Sequence, residues 1–317
     1  MEVNILECYC KQLANFSLIF NGKYGELKGE HRGDLTFCCE HFAGIPGIEL
    51  DEPQNTVAKL IQLRDQLIQT TKRGDIPSSC LKCPHFQVMD RTVSDKIRFI
   101  SLSMYPSPCQ CKCSYCGLHG TNLTRLNKNL YEGYYRKVFE VVKLLAKEGL
   151  IALDAKWQVA CGEISIHPFK DEIFELVADK RVNILTNAFV FDKNIAQILA
   201  TNSQASINLS IDSGTANTWR KVKGVDNFSV VLNNLKKYRE VSNPNQIQLK
   251  YILLPGMNTS LKDYLGIIRI MRDLGITNLI VSHDFAISAK NKKLQVYKAI
   301  LIMLLKSYGL THENAHF

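Results

Sequence analysis

The stretch Cys109-Gln-Cys-Lys-Cys113-Ser-Tyr-Cys116 stands just after an apolar run from Ile97 to Met104. Cys109, Cys113 and Cys116 are spaced as C-x3-C-x2-C. Three thiolates this close in sequence can ligate three irons of a cubane iron–sulfur cluster, and the fourth iron then has no protein ligand. An open metal position is where a substrate or cofactor binds, so the spacing predicts a reactive site rather than a purely structural one.

A fourth cysteine, Cys111, makes the ligand count of this stretch ambiguous, because four neighbouring cysteines are also compatible with a zinc site or a disulfide-bonded knot. The residues from Met1 to Phe20 mix Glu2, Glu7 and Lys11 with apolar ones, which is not the pattern of a signal peptide. We therefore expect a cytoplasmic protein, in which 11 cysteines indicate metal or cluster ligation rather than disulfides. Cys111 falls outside the C-x3-C-x2-C frame, and we expect its side chain to point away from the cluster.

Length and composition set bounds on the fold and the partners. At 317 residues and 46% apolar composition, the chain can form one large α/β domain or two smaller ones. No unbroken apolar stretch reaches the roughly 18 residues that a membrane-spanning helix needs. The net charge of +9 fits an acidic partner or an anionic substrate, and it equally fits a surface that is merely basic. The sequence has no arginine-rich tract and no aromatic-interleaved basic motif, so nucleic acid is not an expected partner.

Residues 1–90 are rich in cysteine and are predicted to form a small α+β domain. Ser17–Phe20 and Leu35–Phe37 have the composition of short strands joined by a glycine-rich turn. Apolar residues at helical spacing predict a helix over Asn55–Lys72, capped by its first residue and ended by Gly74.

The same residues carry enough thiolates to close a second metal site with four ligands. We prefer Cys10 over Cys8 because it lies nearer the first strand, and Cys38 over Cys39 because it completes a G-x4-C run. A structural zinc ion and an iron–sulfur cluster are both compatible with such a site. The candidate ligands are Cys8 or Cys10, Cys38 or Cys39, Cys80 and Cys83.

From Ile97 onward, strands and helices alternate. Six such units predict a parallel sheet with helices outside, in a core over residues 91–317. When such alternating strands and helices close into a barrel, the catalytic residues lie at the C-terminal ends of the strands. The predicted pairs of strand and helix are Ile97–Met104 with Leu130–Glu148, Trp157–Ala160 with Phe169–Val177, Val182–Leu185 with Asn194–Ala200, Ser206–Ile211 with Phe228–Tyr238, Ile247–Leu254 with Leu261–Leu274, and Leu279–Val281 with Leu294–Tyr308.

Glycines and polar residues stand where these strands end. Gly162-Glu163 follows the second strand and Thr186-Asn187 follows the third. The fourth strand leads into Ser210-Ile-Asp212-Ser-Gly, with Lys223-Gly224 further along, and the fifth leads into Leu254-Pro-Gly-Met-Asn258. A glycine lets the backbone approach a ligand closely, and a carboxylate pairs with a cation. These strand ends are therefore the predicted binding site.

In this order the motifs resemble those of the radical S-adenosylmethionine (radical SAM) enzymes. The resemblance implies an α/β fold with a partial (β/α)6 TIM-type barrel, in which a [4Fe-4S] cluster on Cys109, Cys113 and Cys116 binds SAM. It also implies reductive cleavage of SAM to a 5'-deoxyadenosyl radical that abstracts hydrogen from a substrate, which the sequence does not identify. The residues implied to contact SAM are Tyr115, Gly162, Glu163, Asn187, Ser210, Asp212 and Lys223.

Three positions depart from the family's pattern. Cys161 stands where the first glycine of a Gly-Gly-Glu motif is usual, Ala188 replaces the glycine of Thr-Asn-Gly, and Lys223 stands where relatives often carry arginine. A lysine there can pair with the methionine carboxylate of SAM, although it lacks the bidentate fork of arginine.

The G-x4-C run ending at Cys38, followed by Cys80-x2-Cys83, is similar to the auxiliary-cluster modules (SPASM or twitch) of radical SAM enzymes, although those usually follow the barrel. The similarity implies a second [4Fe-4S] cluster on Cys10, Cys38, Cys80 and Cys83. It further implies an oxidoreductase or modifying enzyme that acts on a peptide side chain or on a carbohydrate or alcohol, with a flavodoxin- or ferredoxin-like electron donor. The alternative is a zinc-bound structural or RNA-binding protein, since Cys80-x2-Cys83 and Cys113-x2-Cys116 also have zinc-ribbon spacing.

Overall fold

A computed structural model describes residues 8–20, 34–37, 47–76, 80–83, 86–88, 93–103, 107–116, 128–160, 162–284 and 286–315. The chain forms two compact units. The first unit comprises Met1–Pro106 with Asn127–Cys161, and the second comprises Ser107–Leu126 with Gly162–Phe317.

The first unit contains a mostly parallel sheet and a separate two-stranded ribbon. Its elements are β1 (Cys8–Cys10), α1 (Lys11–Ala14), β2 (Ser17–Phe20), β3 (Leu35–Thr36), α2 (Pro53–Lys72), β4 (Phe86–Val88), β5 (Ile97–Leu102), α3 (Lys128–Lys147) and β6 (Ile151–Val159). The sheet has the order β3-β2-β5-β6, in which only β3 is antiparallel to its neighbour. β1 and β4 form the antiparallel ribbon.

The strands predicted near the N-terminus are confirmed as an antiparallel pair. β2 also runs parallel to β5, with Leu18 beside Ile100. Helix α2 begins at Pro53 rather than at the predicted Asn55, with Glu52 in the capping position. Proline suits the first turn because that turn's N–H groups have no partner within the helix. The domain boundary expected near residue 90 stays a prediction.

The second unit is a parallel sheet with helices between successive strands. Its elements are α4 (Lys170–Val177), β7 (Arg181–Leu185), α5 (Lys193–Thr201), β8 (Ser206–Ser210), α6 (Ala216–Lys223), α7 (Phe228–Glu240), β9 (Ile247–Leu253), α8 (Leu261–Leu274), β10 (Asn278–His283), α9 (Lys292–Ser307) and β11 (Thr311–Asn314). The strand order is β7-β8-β9-β10-β11, and every pair is parallel.

Side chains alternate between the two faces of a strand, and one face of this sheet forms the core. Ile184, Ile207, Leu249 and Leu279 are completely buried on it. Each of the helices α4, α5, α7 and α8 also buries an apolar side. The strands therefore hold the loops at their C-terminal ends in fixed positions.

The predicted α/β fold is confirmed, and all six predicted strand–helix units are present. β3 at the edge of the first unit's sheet and β11 at the edge of the second unit's sheet each have one neighbouring strand within the described residues, so these edges are open. β6 starts at Ile151, six residues before the predicted start at Trp157. The sequence pattern missed its first half because a register irregularity opposite Ile97 and Phe99 interrupts the alternation of buried and exposed residues. In the part of the chain that the structure describes, no helix is long and apolar enough to span a membrane.

Candidate functional site

The cysteine segment, residues 107–116, lies against Gly162 and Glu163. Glu163 N donates a hydrogen bond to Pro108 O at 2.7 Å. Gly162 has a φ of +63°, and a Cβ there would collide with Ser107 Oγ and stand 2.7 Å from Pro108 O. Only glycine combines this backbone conformation with so close an approach. The predicted Gly-Glu motif thus lets the cysteine segment pass directly beside it.

The middle of the cysteine segment is held by the C-terminal end of α6. The last carbonyl groups of a helix have no partners within the helix. Here Lys112 N and Ser114 N donate to Lys223 O and Val222 O, both at 2.8 Å. Gly224 ends the helix with a φ of +67°, and a Cβ there would lie 2.8 Å from Lys112 O. The segment is therefore positioned by its backbone.

The thiols of Cys109, Cys111 and Cys113 lie together. Cys111 is 3% exposed, and its thiol hydrogen-bonds with the other two, which raises its own pKa. The same hydrogen bonds lower the pKa of Cys109, and they lower the pKa of Cys113 to about 6 with help from the charge of Lys223. The expectation that Cys111 points away is wrong, because its thiol hydrogen-bonds with those of Cys109 and Cys113.

Glu163 is completely buried, and its carboxylate is occupied by donors of its own surroundings. Oε1 accepts from Ser165 N at 3.0 Å, Ser165 Oγ at 2.7 Å and Thr186 Oγ1 at 2.8 Å. Oε2 accepts from Asn187 N at 2.5 Å. Burial raises the pKa of this carboxyl group, although the donors oppose the shift. Glu163 thus fixes the residues that follow β7.

Asn187 connects this carboxylate to the cysteines: its backbone N–H binds Glu163, and its side-chain amide lies against the cysteine segment. Asn187 Nδ2 lies 3.7 Å from Cys109 Sγ, 3.5 Å from Cys111 Sγ and 3.4 Å from Gln110 Oε1. The next residue, Ala188, has a φ of +52°, a left-handed backbone that favours glycine. The position where the resemblance expects glycine therefore keeps a glycine-like backbone in this chain.

Asp212, just after β8, is the centre of a buried ion pair. Its Oδ2 accepts from Lys223 Nζ at 2.5 Å and from Tyr115 OH at 2.6 Å, and Lys223 Nζ also donates to Tyr115 OH at 2.7 Å. Burial alone would lower the pKa of Lys223, but the Asp212 carboxylate together with the charges of Cys113 and Cys111 outweighs it, and the net shift is upward. Burial, aided by the same carboxylate, raises the pKa of Tyr115. Three of the predicted cofactor contacts thus form one hydrogen-bonded network.

Two neighbours fix Asp212 in this network. Its backbone has a φ of +49°, which aspartate tolerates better than most residues. Its Oδ1 accepts from Ile252 N at 2.6 Å, and its carbonyl oxygen accepts from Asn258 Nδ2 at 2.9 Å. Asn258 is completely buried. The sequence analysis quoted Asn258 as part of a strand-end motif but predicted no role for it. The signal that could have indicated such a role is its position just after a Pro-Gly turn at the end of a strand.

Ser210 contacts neither network within the described residues. It is half-buried on β8 and stands in register with Lys250 of β9. Lys250, whose charge interacts with that of Asp212, is a residue that the sequence analysis did not single out. The available signal was a lysine in the middle of the otherwise largely apolar strand Ile247–Leu253.

Three of the four predicted ligands of the second metal site lie close together along the first unit. Cys10 pairs with Phe86 across the β1–β4 ribbon. Phe86 N donates to Cys83 O at 3.1 Å, and Cys83 N donates to Cys80 O at 3.0 Å. Cys38 lies outside the described residues. Among the described residues, no group of three or more His, Cys, Asp or Glu side chains is arranged so that it could hold a single metal ion.

The donors of the second unit fit an iron–sulfur cluster. Thiolate is the form of cysteine that binds iron, and Cys109 and Cys113 have lowered pKa values. Cys116 is one turn away, its N–H donating to Cys113 O at 3.0 Å. The thiolates of a cubane bind different irons, so they need not converge on one point before the cluster is present.

Known proteins similar to this chain include a cyclase and an enzyme of known structure. GTP 3',8-cyclase of Vibrio parahaemolyticus serotype O3:K6 is 25% identical over 181 residues, which are 56% of this chain and 52% of the cyclase. Crystal structures of Streptococcus suis SuiB, bound to S-adenosylmethionine or to the precursor peptide SuiA, share its fold with TM-scores of 0.53 and 0.51 at 16% identity. They cover 82% and 87% of this chain, which matches 56% and 57% of SuiB. The chain thus spans about half the length of the proteins it matches.

A sequence model of the Radical SAM superfamily matches residues 108–265. The match begins immediately before the first cysteine of the C-x3-C-x2-C frame and continues past Asn258. It therefore includes the cysteine segment, the Glu163 carboxylate and the Asp212 network. The chain belongs to the radical SAM superfamily.

Proposed function

We propose that this protein is a radical SAM enzyme that binds a [4Fe-4S] cluster through Cys109, Cys113 and Cys116 and binds SAM beside it. The observation that carries the proposal is that the cysteine segment is joined by direct hydrogen bonds to Asn187 and Asp212, at the ends of two parallel strands. When bound, the cluster and SAM supply the reaction, which in this superfamily is reductive cleavage of the sulfonium to a 5'-deoxyadenosyl radical that takes hydrogen from the substrate.

The cysteines have distinct roles in this proposal. Cys109 and Cys113 ligate as thiolates, which their lowered pKa values favour. Cys111 keeps its proton, and its single S–H donates to one or the other of the two sulfurs, so it supports the ligands from the side. Asn187 Nδ2, 3.7 Å from Cys109 Sγ, supports the first ligand in the same way.

The SAM site is built by the two buried carboxylates and their partners. Glu163 orients Asn187 through its N–H, and Gly162 gives the close backbone approach. The Lys223 ammonium is already paired with Asp212 and Tyr115. We therefore assign Lys223 a positioning role behind Asp212, in place of a direct ion pair with the methionine carboxylate.

The electron donor we propose is a flavodoxin- or ferredoxin-like protein with an acidic surface. Lys112 in the cysteine segment and Lys221 in α6 are both exposed. Lys112 is next to Cys113, and its backbone binds the last turn of α6. Opposite charges across such a surface increase the rate of encounter, so these lysines would guide the donor to the cluster.

For the first unit we propose a second cluster on Cys10, Cys38, Cys80 and Cys83. A cluster with four thiolate ligands has no open iron, so it would transfer electrons or bind substrate rather than cleave SAM. The reaction we propose is oxidation or another modification of a peptide side chain, or of a carbohydrate or alcohol, in the cytoplasm. SuiB binds a precursor peptide and the Vibrio protein is named a GTP cyclase, and both substrate kinds are polar.

The proposed function is tested by anaerobic reconstitution with iron and sulfide, followed by reduction with dithionite in the presence of SAM. We expect about eight irons per chain, a brown colour, and formation of 5'-deoxyadenosine measured by chromatography. Alanine at Cys109, Cys113 and Cys116 together should abolish 5'-deoxyadenosine and leave about four irons. Further replacement of Cys80 and Cys83 should remove these irons too.

Two results would contradict the proposal. A colourless protein with about two zinc ions and no sulfide would support the zinc-bound alternative. A triple cysteine variant that retains no iron would show that the first unit holds no cluster, and the second-cluster proposal would fall while the SAM-cleaving site stood.

A further inference from the structure

One face of the sheet in the second unit is polar. It consists of the positions that alternate with the buried core positions of β7, β8, β9 and β10. Asn183 Nδ2 donates to Ser206 Oγ at 2.8 Å and to Gln248 Oε1 at 3.2 Å, which links three strands across this face. Its polar members, which we call the polar face, are Arg181, Asn183, Ser206, Asn208, Ser210, Gln248, Lys250, Asn278 and Ser282.

Lys250 is the half-buried cation of the polar face, whose other cation, Arg181, is exposed at the start of β7. It stands in the middle of β9, in register with Ser210 of β8 and Ile280 of β10. Two residues later in the same strand, Ile252 N donates to Asp212 Oδ1 at 2.6 Å. Two residues of a strand span roughly 7 Å. The backbone of Lys250 is therefore one layer of side chains away from the Asp212 network.

Within the described ranges, no carboxylate pairs with Lys250, and no hydrogen bond from its ammonium is observed. On β7 to β10 the polar face carries no acidic residue, and Glu313 of the next strand, β11, accepts a hydrogen bond from Asn278 Nδ2 at 2.8 Å. The carboxylate of Asp212 does act on Lys250 through its charge, but it is already bound to Lys223 at 2.5 Å. The second unit thus holds a half-buried ammonium without a counter-ion, inside a face of hydroxyls and amides.

Such an ammonium is stabilised by an anion that enters the face. Burial lowers the pKa of Lys250, which means that the surroundings disfavour its charged form. Removing a charge from water without a partner costs free energy, and a bound oxyanion would offset that cost through a charge-assisted hydrogen bond. Ser210, beside Lys250 in register, offers a hydroxyl to the same group.

We propose that Lys250 binds an anionic group of the substrate, a phosphate or a carboxylate, on the polar face. This inference rests on the proposed function, because it takes this face as the place where the substrate meets bound SAM. Half-buried amides such as Asn208 and Gln248 would bind further polar groups. The substrate class is therefore a polar molecule with an oxyanion, such as a phosphorylated carbohydrate or an acidic peptide, rather than a neutral or apolar one.

The test is anaerobic titration calorimetry on the reconstituted full chain with saturating SAM. Inorganic pyrophosphate probes for a phosphate, glutarate for a carboxylate, and glucose serves as a neutral comparison. We expect pyrophosphate or glutarate to bind the parent about tenfold or more tightly than Lys250→Gln, with binding kept in Lys250→Arg. The matched control is Lys262→Gln, which removes an exposed lysine of α8 and should bind as the parent does. Preference for pyrophosphate identifies a phosphate, and preference for glutarate a carboxylate.

Equal affinities in the parent and Lys250→Gln would overturn the proposal, as would a parent that binds neither anion. The same loss in Lys262→Gln would also overturn it, because it would indicate general surface charge. Iron content, melting temperature and 5'-deoxyadenosine formation are measured on the same parent samples. If the parent does not cleave SAM but binds the anion through Lys250, the proposed function is contradicted and the anion site is supported. SAM cleavage without such binding would do the reverse.

Discussion

Replacing Asp212 with asparagine should destabilise the second unit by several kcal/mol. Asparagine keeps an oxygen for Ile252 N and tolerates a left-handed backbone as well as aspartate does, so the change removes mainly the charge. The Lys223 side chain is 3% exposed, and its ammonium would then be buried without a counter-ion. Breaking a buried pair in this way costs about 3–5 kcal/mol.

Loss of the proton from Lys223 sets an upper limit to this cost. Deprotonation at pH 7 of an amine with an ordinary pKa of about 10.4 requires about 5 kcal/mol. The single variant Lys223→Met should also be destabilised, since it leaves the Asp212 carboxylate completely buried with only Ile252 N and Tyr115 OH as donors. The double variant Asp212→Asn with Lys223→Met contains no buried charge, so it should lose much less than the sum of the single variants.

The assay is urea unfolding at pH 7, followed by circular dichroism on reconstituted proteins of equal iron content. We expect Asp212→Asn to lose about 3–5 kcal/mol and the pair to show a coupling free energy of about 2 kcal/mol or more. Tyr115→Phe removes one neutral hydroxyl from the same network and should cost about 1 kcal/mol. A loss under about 1 kcal/mol in Asp212→Asn, or additive single variants, would falsify the argument that the ion pair holds this site together.

Three further predictions concern single positions. Gly162→Ala should lose about 3 kcal/mol in urea unfolding, because its Cβ meets Ser107 and Pro108 and its φ is positive; Gly133→Ala, with open space around its Cβ on α3, should gain about 0.5–1 kcal/mol as the control, and equal effects would contradict the close approach. Burial lowers the pKa of His167 to about 4, so its neutral form stabilises the fold above about pH 6.5 and that stability, up to about 3 kcal/mol, is lost as the pH falls toward 4. His167→Asn keeps an acceptor for the Phe169 N–H, which His167 Nδ1 accepts at 3.2 Å. In this variant the free energy of unfolding should change less with pH between pH 4 and 7 than in the parent. An unchanged pH dependence would exclude His167 as the titrating group. Cys111→Ala should keep about eight irons and form 5'-deoxyadenosine at a reduced rate, and loss of about four irons, as expected when the ligands of the SAM-binding cluster are replaced, would make Cys111 a ligand.

The parts of this protein that the sequence predicted well are those set by local pattern. Strands such as Ile97–Leu102 and helices such as Leu261–Leu274 follow from apolar periodicity, which depends only on neighbours in the chain. The cysteine spacing and the polar residues at the strand ends are likewise features of the sequence itself. Parallel strands bring their C-terminal ends to one edge of a sheet, so Glu163 and Asp212 could be placed there without knowledge of their contacts.

The parts that could not be predicted depend on contacts between distant residues. Nothing in the sequence around Lys223 indicates that its ammonium binds Asp212 and Tyr115 rather than a ligand, since Tyr115 is 108 positions away. Helix α6 was missed because its sequence, Ala-Asn-Thr-Trp-Arg-Lys-Val-Lys, is largely polar, so it has little apolar periodicity. The Cys111 thiol hydrogen-bonds with those of Cys109 and Cys113, and spacing rules for cysteines contain no information on such contacts.

The hydrogen bonds from Lys112 N and Ser114 N to the last turn of α6 have a consequence for how this site can vary among related sequences. Any residue except proline supplies the same N–H group, so both positions can accept many substitutions while the cysteines stay in place. An alignment would then show variable columns at 112 and 114, although the bonds made there hold the segment. Proline scanning would detect what such an alignment hides, since Lys112→Pro or Ser114→Pro should release the segment where Lys112→Ala and Ser114→Ala do not.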